Sequence, residues 1–244
     1  MAPAGFGDRV EGLHAVAAAA AAGRVERLWV DRGRLRRIEY QAVVEDVLAS
    51  GGTSSEMEDV ISLAETTAPQ GVVARCVPRK SVSLNELATG PGSAAVMVLD
   101  HVVDPHNVGA IARSVAAAGL SGLVLASRRA APLSAAAFKA AAGALETLPV
   151  SRVTSIADAL SQLRRLGLWT VGLTQDAGQV LWGLPLLAEP VAIVVGEEGT
   201  GLSRLVADRT EVRVRIPITS LVESLNASVA AALAAFEVLR VRNS

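Results

Sequence analysis

The chain has little of what builds crosslinked, metal-bound or membrane-embedded proteins. Cys76 is the single cysteine of 244 residues, which excludes an intramolecular disulfide and a cysteine-rich metal site. Set in the apolar stretch GVVARCV, its thiol reads as a structural packing group. No apolar run approaches the roughly 18 to 20 residues of a membrane span. The Ala-rich stretch LHAVAAAAAA looks superficially like a signal peptide. Glu11 and His14 interrupt it, however, alanine is only weakly apolar, and Gly23 stops it as glycine stops a soluble helix. The expected location is cytoplasmic.

What is present is a large supply of core residues. Hydrophobic residues make up 51% and charged residues 19%, so the chain can bury a sizeable core and carries no signature of disorder. Its length suits a small domain followed by a larger one. A net charge of −1 excludes a surface coated in basic residues for indiscriminate nucleic-acid binding. The distribution is less even than the sum. Arg24, Arg27, Arg32, Arg34, Arg36 and Arg37 face only Glu26 and Asp31 within the stretch 24–37, a local charge of 6 − 2 = +4. Only Lys80 and Lys139 among the 23 basic residues are lysines, and arginine forks suit phosphate contact as well as they suit a solvated face.

Helix and strand alternate from Phe6 to Val77: an Ala-rich helix ending at Gly23, a strand RLWVD, a helix Arg36 to Ser50, a helix Ser55 to Glu65 opened by a Ser55–Glu58 capping box, and a strand GVVARCV. The polar segment 79–93 reads as a linker. From Ala94 the strands AAVMVLD, GLVLAS, LWTVGL, VAIVV and EVRVRI alternate with helices at Asn107 to Ala118, Ser134 to Ala142, Ser155 to Leu166 and Gly201 to Arg209. Continuous apolar strands separated by helices predict a mainly parallel sheet covered on both faces, an α/β fold. The expected layout is a domain at 1–78, a linker at 79–93 and a second domain at 94–244.

The loops after the strands narrow the ligand. VVGEEGTG is not G-x-G-x-x-G, and no G-K-[ST] occurs, so neither dinucleotide nor nucleoside-triphosphate fingerprints are met. Glu197 and Glu198 would repel a pyrophosphate at close range. A nucleoside-like ligand with cationic groups and no phosphate fits better, and S-adenosylmethionine is such a ligand. His101 and His106 without a third nearby ligand give no metal site.

Three ordered segments carry a more specific signal: DPHNVGAIARSVAAAG with Asn107 and Arg113, VVGEEGTGL with Gly196, Glu198 and Gly201, and IPITSLVESLNASVAAALAAFE with Ile216, Pro217, Ser224, Leu225, Asn226 and Ser228. Together they resemble the three motifs of the SpoU/TrmH family of RNA 2'-O-ribose methyltransferases, in the SPOUT superfamily. GLHAV and QGVVARC resemble the start and end of the small ribosomal-protein-like RNA-binding domain of its rRNA guanosine methyltransferase branch. The resemblance implies a parallel α/β sheet with a C-terminal trefoil knot, a homodimer, S-adenosylmethionine as cofactor and RNA, first of all rRNA, as partner. It implies a cofactor held by Gly196, Gly201, Ile216, Ser224 and Leu225, with Thr174 beside Leu173 near the adenosine. It also implies catalytic roles for Arg113, Asn107, Glu198 and Asn226.

Removal of the ribose proton is the family role matched by Arg113. A guanidinium, which as a class holds its proton tightly, is better suited to binding the adjacent phosphate and stabilising the developing oxyanion. Glu198 and Asn226 would then hold the loops in place. Asn107 and Arg113 lie roughly 240° apart around a regular helix, so they cannot share a face, and Asn107 is expected to cap that helix. A tRNA methyltransferase and a non-catalytic ribosome-assembly protein are the competing readings.

Overall fold

The two runs of alternating strand and helix fold as two units. A computed structural model describes residues 5–90, 93–128, 130, 132–219 and 221–244. One unit takes the chain up to Lys80 together with Pro132–Thr147, and the other takes 81–131 and 148–244.

In the first unit, β1 (Arg9–Glu11), α1 (Leu13–Ala21), β2 (Val25–Asp31), α2 (Ile38–Ala49), β3 (Thr53–Met57) and β4 (Val72–Cys76) form a sheet of order β1-β4-β2-β3 with two helices. Only β2 and β3 run parallel. Val10, Leu28, Val30, Val72 and Ala74 are buried, as are Ala15, Val16 and Ala19 of α1 and Val43 and Val47 of α2. The period of two along the strands thus meets the helical period on one face.

The helix expected over 55–65 is absent. Thr53, Ser55 and Met57 belong to β3, paired with Arg27, Trp29 and Asp31, and a single 3-10 turn follows at Ile61–Leu63. Glu58, expected to close a capping box, instead pairs with Arg32. Long-range pairing with β2 outweighs a local signature that no apolar helical stripe supports.

The helix expected at 134–142 does form, as α5 (Ala135–Ala141), followed by α6 (Ala144–Thr147), but both belong to the first unit. The Phe138 ring lies 6.3 Å from that of Phe6. Arg24 donates two hydrogen bonds of 2.7 Å to the buried carboxylate of Glu146. Other members of the arginine-rich stretch are also neutralised: Arg32 pairs with Glu56 and Glu58, and Arg37 with Glu39. Arg27, Arg34 and Arg36 form no ion pair with a described residue.

The second unit begins with α3 (Leu84–Ala88), inside the segment expected to be a linker. Here Ser83 and Glu86 do form a capping box, and Leu84 and Leu87 are buried in the core. Pro91 and Gly92 of that segment lie outside the described residues. The chain continues through β5 (Ala95–Leu99), α4 (Pro105–Ala117), β6 (Gly122–Ala126), β7 (Val150–Val153), α7 (Ile156–Arg165), β8 (Trp169–Leu173), β9 (Gln179–Val180), β10 (Val191–Val195), α8 (Arg204–Ala207), β11 (Val212–Arg215) and α9 (Ala227–Arg242).

The seven strands pair in the order β7-β6-β5-β10-β8-β11-β9, all parallel. Val96, Val98, Ala192 and Val194 share a core with Ile156, Leu160 and Leu163 of α7. The alternate strand residues, such as Met97 and Ile193, are equally buried, facing the side that carries α4 and α9. This two-sided burial is why the strands read as unbroken apolar runs. β6 and β7 follow β5 outward on one side, whereas β8 starts on the other side of β10, so the strand order reverses beside β5. The loops leaving the carboxyl ends of β5, β10, β8 and β11 converge there, where open α/β sheets place ligands. Among the described residues no helix is long and apolar enough to cross a membrane.

Candidate functional site

The loop after β10 is built on glycines. A Cβ at Gly196 would lie 2.2 Å from the carbonyl carbon and oxygen of Gly201, so no other residue fits without moving backbone. The amide of Glu197 donates to the Gly201 carbonyl at 3.1 Å, and the Gly201 amide returns a bond of 2.9 Å. Gly199 and Gly201 adopt φ of 83° and 70°, a region that glycine enters at no steric cost. The Glu197 carboxylate accepts from the Thr200 hydroxyl at 3.0 Å, which closes the loop on itself.

Asn226 joins this loop to two others. As N-cap of α9, its Oδ1 accepts from the Ser228 amide at 2.8 Å and the Ser228 hydroxyl at 2.6 Å. Capping fixes the amide orientation, so Nδ2 faces outward. It donates to Asn107 Oδ1 at 3.1 Å and to Glu198 Oε2 at 3.0 Å. Both donors and both acceptor sites of the amide are then used. Residues 107, 198 and 226 come from the ends of three different strand-to-helix connections and meet through this one side chain.

Asn107 does not cap α4. Asp104 does, accepting from the His106 amide at 2.9 Å with Pro105 at the first helical position, and this leaves Asn107 in the first turn with its side chain turned to Asn226. Arg113, six residues further along α4, is exposed and forms no hydrogen bond or ion pair with a described residue. The structure does not join it to the Asn107, Glu198 and Asn226 cluster.

One buried acid was missed in the sequence. Asp100 follows β5, is only 1% exposed, and accepts from the Ser203 amide at 2.7 Å through Oδ2. Its Oδ1 lies 2.7 Å from Nδ1 of His101, whose backbone takes a left-handed φ of 58°. A carboxylate in this position ties the end of β5 to the residues that follow the glycine loop. The available signal was an acid closing a five-residue apolar strand, since a buried carboxylate needs partners.

Beside this cluster lies a cavity of about 420 Å³, within the usual range for small-molecule sites. Thr174, Gly196, Gly201, Ile216, Ser224 and Leu225, the six residues expected at a cofactor, all line it. The Thr174 hydroxyl is buried with no hydrogen-bond partner among the described residues, although its backbone amide donates to the Val214 carbonyl at 3.0 Å. A buried hydroxyl left over in this way suits a ligand that brings a polar atom. Leu173 lines the same wall, so both residues of that pair reach the cavity. The ionisable lining groups are Asp176, Glu197, Glu198 and Arg213, a set suited to a ligand with more positive than negative groups. Among the described residues no cluster of His, Cys, Asp and Glu could hold a metal ion.

Comparison with known proteins gives the same picture from another direction. Residues 94–236 match the SpoU rRNA Methylase family, and residues 9–82 match the RNA 2'-O ribose methyltransferase substrate binding family. The chain is 34% identical to the 23S rRNA (guanosine-2'-O-)-methyltransferase RlmB of Photobacterium profundum, covering 96% of this chain and 98% of that one. It is 35% identical to the protein of the same name from Pseudomonas aeruginosa, covering 96% and 97%. It is also 35% identical to an uncharacterized tRNA/rRNA methyltransferase of Synechocystis, of whose length it spans 63%. Among solved structures, an RNA 2'-O ribose methyltransferase superposes with a TM-score of 0.81 at 29% identity, covering 97% of this chain and 89% of that one. The SpoU methyltransferase AviRb from Streptomyces viridochromogenes, in complex with the cofactor AdoMet, superposes with a TM-score of 0.78 at 26% identity, covering 97% and 90%.

Proposed function

The chain belongs to the SpoU rRNA methylase family, and on that premise we propose that it transfers the methyl group of S-adenosylmethionine to the ribose 2'-hydroxyl of a guanosine in large-subunit rRNA. The observation that carries this reading is the convergence of Asn107, Glu198 and Asn226 beside a cavity whose lining holds an unpartnered buried hydroxyl. The full-length likeness to two enzymes named for 23S rRNA guanosine supports the substrate.

The backbone around Gly196, Ile216 and Leu225 would hold the cofactor, with the Thr174 hydroxyl beside it. Bound there, S-adenosylmethionine supplies an electrophilic methyl group on a sulfonium sulfur. Asn226 keeps the glycine loop, α4 and α9 in register, so that the cavity wall is set before the substrate arrives. Arg113 binds the phosphate next to the target ribose and stabilises negative charge on the 2'-oxygen as the hydroxyl proton passes to solvent.

Because Arg113 stands apart from the cluster on its own chain, we assign it to the site of a second copy in a homodimer. The outward stripe of α9 supports that assembly: Val229, Leu233 and Phe236 are 46%, 37% and 48% exposed at helical spacing. The first unit is assigned to gripping RNA and the second to methyl transfer, in the cytoplasm, where rRNA is found. With Arg24, Arg32 and Arg37 engaged by acids, Arg27, Arg34 and Arg36 are the arginines of the basic stretch left for phosphate.

Mass spectrometry of RNA from a deletion strain tests the reading. Loss of one guanosine 2'-O-methyl from 23S rRNA, restored by the wild-type chain and not by its Arg113→Ala variant, is expected. Loss of a tRNA methyl instead would move the substrate, and no lost methyl would remove the enzymatic reading.

A further inference from the structure

Among the described residues that line the cavity, Arg213 is the single cation. It lies on β11 opposite Gly172 of β8, and the next residue, Val214, accepts the Thr174 amide at 3.0 Å. The unpartnered Thr174 hydroxyl and the Arg213 guanidinium therefore belong to one wall. Of the basic residues near it in sequence or on α7, Arg164 reaches Glu211 at 3.1 Å and Arg209 donates to the Ser161 hydroxyl. Arg213 forms no hydrogen bond or ion pair with a described residue, although it shares the cavity with three carboxylates.

The charges sort the ligand. Glu197 accepts from the Thr200 hydroxyl and Glu198 from the Asn226 amide, neither of which brings a positive charge, and Asp176 forms no hydrogen bond with a described residue. Three negative groups favour the sulfonium and ammonium centres of the cofactor and disfavour its carboxylate. A planar guanidinium is the group that receives a carboxylate through paired hydrogen bonds. Resting on the function proposed above, we propose that Arg213 binds the carboxylate of the amino-acid part of S-adenosylmethionine, and so selects the complete cofactor over nucleosides that lack this group. An RNA phosphate would meet the same three carboxylates with no cationic centre of its own to offset them.

Calorimetry on the full-length protein separates these roles, with S-adenosylhomocysteine and 5'-methylthioadenosine as ligands. The second keeps the adenosine and thioether and lacks the amino acid. Arg213→Gln is expected to weaken S-adenosylhomocysteine about tenfold and to leave methylthioadenosine within about twofold, with Arg213→Lys recovering part of the loss. An equal loss for both ligands would make Arg213 a structural residue and overturn the proposal. Unchanged binding of both, with weaker RNA retention on filters, would assign Arg213 to RNA and overturn it as well. Wild-type protein that binds neither ligand would overturn the functional reading, a result distinct from a wild type that binds both and a variant that does not discriminate.

Discussion

Replacing Asn226 by Asp changes one atom and separates its two tasks. The new carboxylate still accepts from the Ser228 amide, so the helix cap survives. Both donors are lost, and a negative charge now stands about 3.0 Å from Glu198 Oε2. The Coulomb cost at that distance is about 1.4 kcal/mol at the dielectric constant of water and about 5.5 kcal/mol at an effective value of 20. Glu198 is exposed, which puts the cost near the lower figure. Two lost hydrogen bonds add about 1 kcal/mol each, for a total of about 3 kcal/mol, or more than a hundredfold in the equilibrium that keeps the three loops together.

Two measurements check this. Calorimetry should show S-adenosylhomocysteine binding weakened far more by Asn226→Asp than the melting temperature would suggest. Urea unfolding between pH 3 and 7 gives the sign. Repulsion raises the pKa of the introduced carboxyl above its unfolded value, so stability relative to wild type is greatest at low pH and falls as pH rises through the raised value. Asn226→Ala loses cap and bridge together and should show the stability loss without that slope. An Asn226→Asp variant with wild-type binding and a flat stability difference would show that the bridge contributes nothing.

Other outcomes follow from single contacts. Gly196→Ala should abolish cofactor binding, because its Cβ would stand 2.2 Å from the Gly201 backbone; full binding by this variant would refute the need for close approach. Burial pushes the Cys76 thiol up to about 12, so iodoacetamide at pH 8 should leave the folded protein unlabelled and label it in urea. Arg240 and the Gly183 amide hold the Glu237 carboxyl below its ordinary value. Its contribution to stability is therefore full above the unfolded glutamate pKa of about 4.3 and lost as pH falls through the lowered value, so the gap between wild type and Glu237→Gln should narrow below about pH 4. Arg242→Ala removes donors from the carbonyls of Leu187, Ser93, Ala94 and Glu189 and should cost about 2 to 4 kcal/mol in urea unfolding.

The second unit was legible because its strands are buried on both faces. AVMVL, GLVLA and VAIVV leave no polar position to blur the pattern, and the parallel α/β class follows. The first unit was less legible for the opposite reason. β3 exposes or half-exposes every residue and exists because β2 offers it a partner, so TSSEM carries no apolar alternation of its own. Two S-x-x-E sequences make the point. After Ser83, Leu84 and Leu87 give a buried face one turn apart, and the capping box forms. After Ser55 no such pair follows, and the glutamate goes to Arg32 instead. The membership of α5 and α6 in the first unit was invisible, since Phe138 and Glu146 find Phe6 and Arg24 more than a hundred residues away.

The site divides along the same line. Glycine at 196 and 201 and the SLN turn at 224–226 are local requirements of backbone and cap, and the sequence shows them directly. The partnership of Asn107, Glu198 and Asn226 is a property of strand order. It needs β5 beside β10 and the β11 loop beside both, which no spacing along the chain encodes. Once the three meet, chemistry restricts their work. Asn226 has no vacant donor or acceptor, and an amide does not take up a proton near neutral pH. An amide whose four hydrogen bonds are filled can hold geometry, and an unpartnered guanidinium can hold charge. Those two functions suit a methyl transfer between two bound ligands, because alignment and a prepared electrostatic field lower the barrier while the 2'-hydroxyl proton, lost as oxygen takes the methyl from sulfur, passes to solvent.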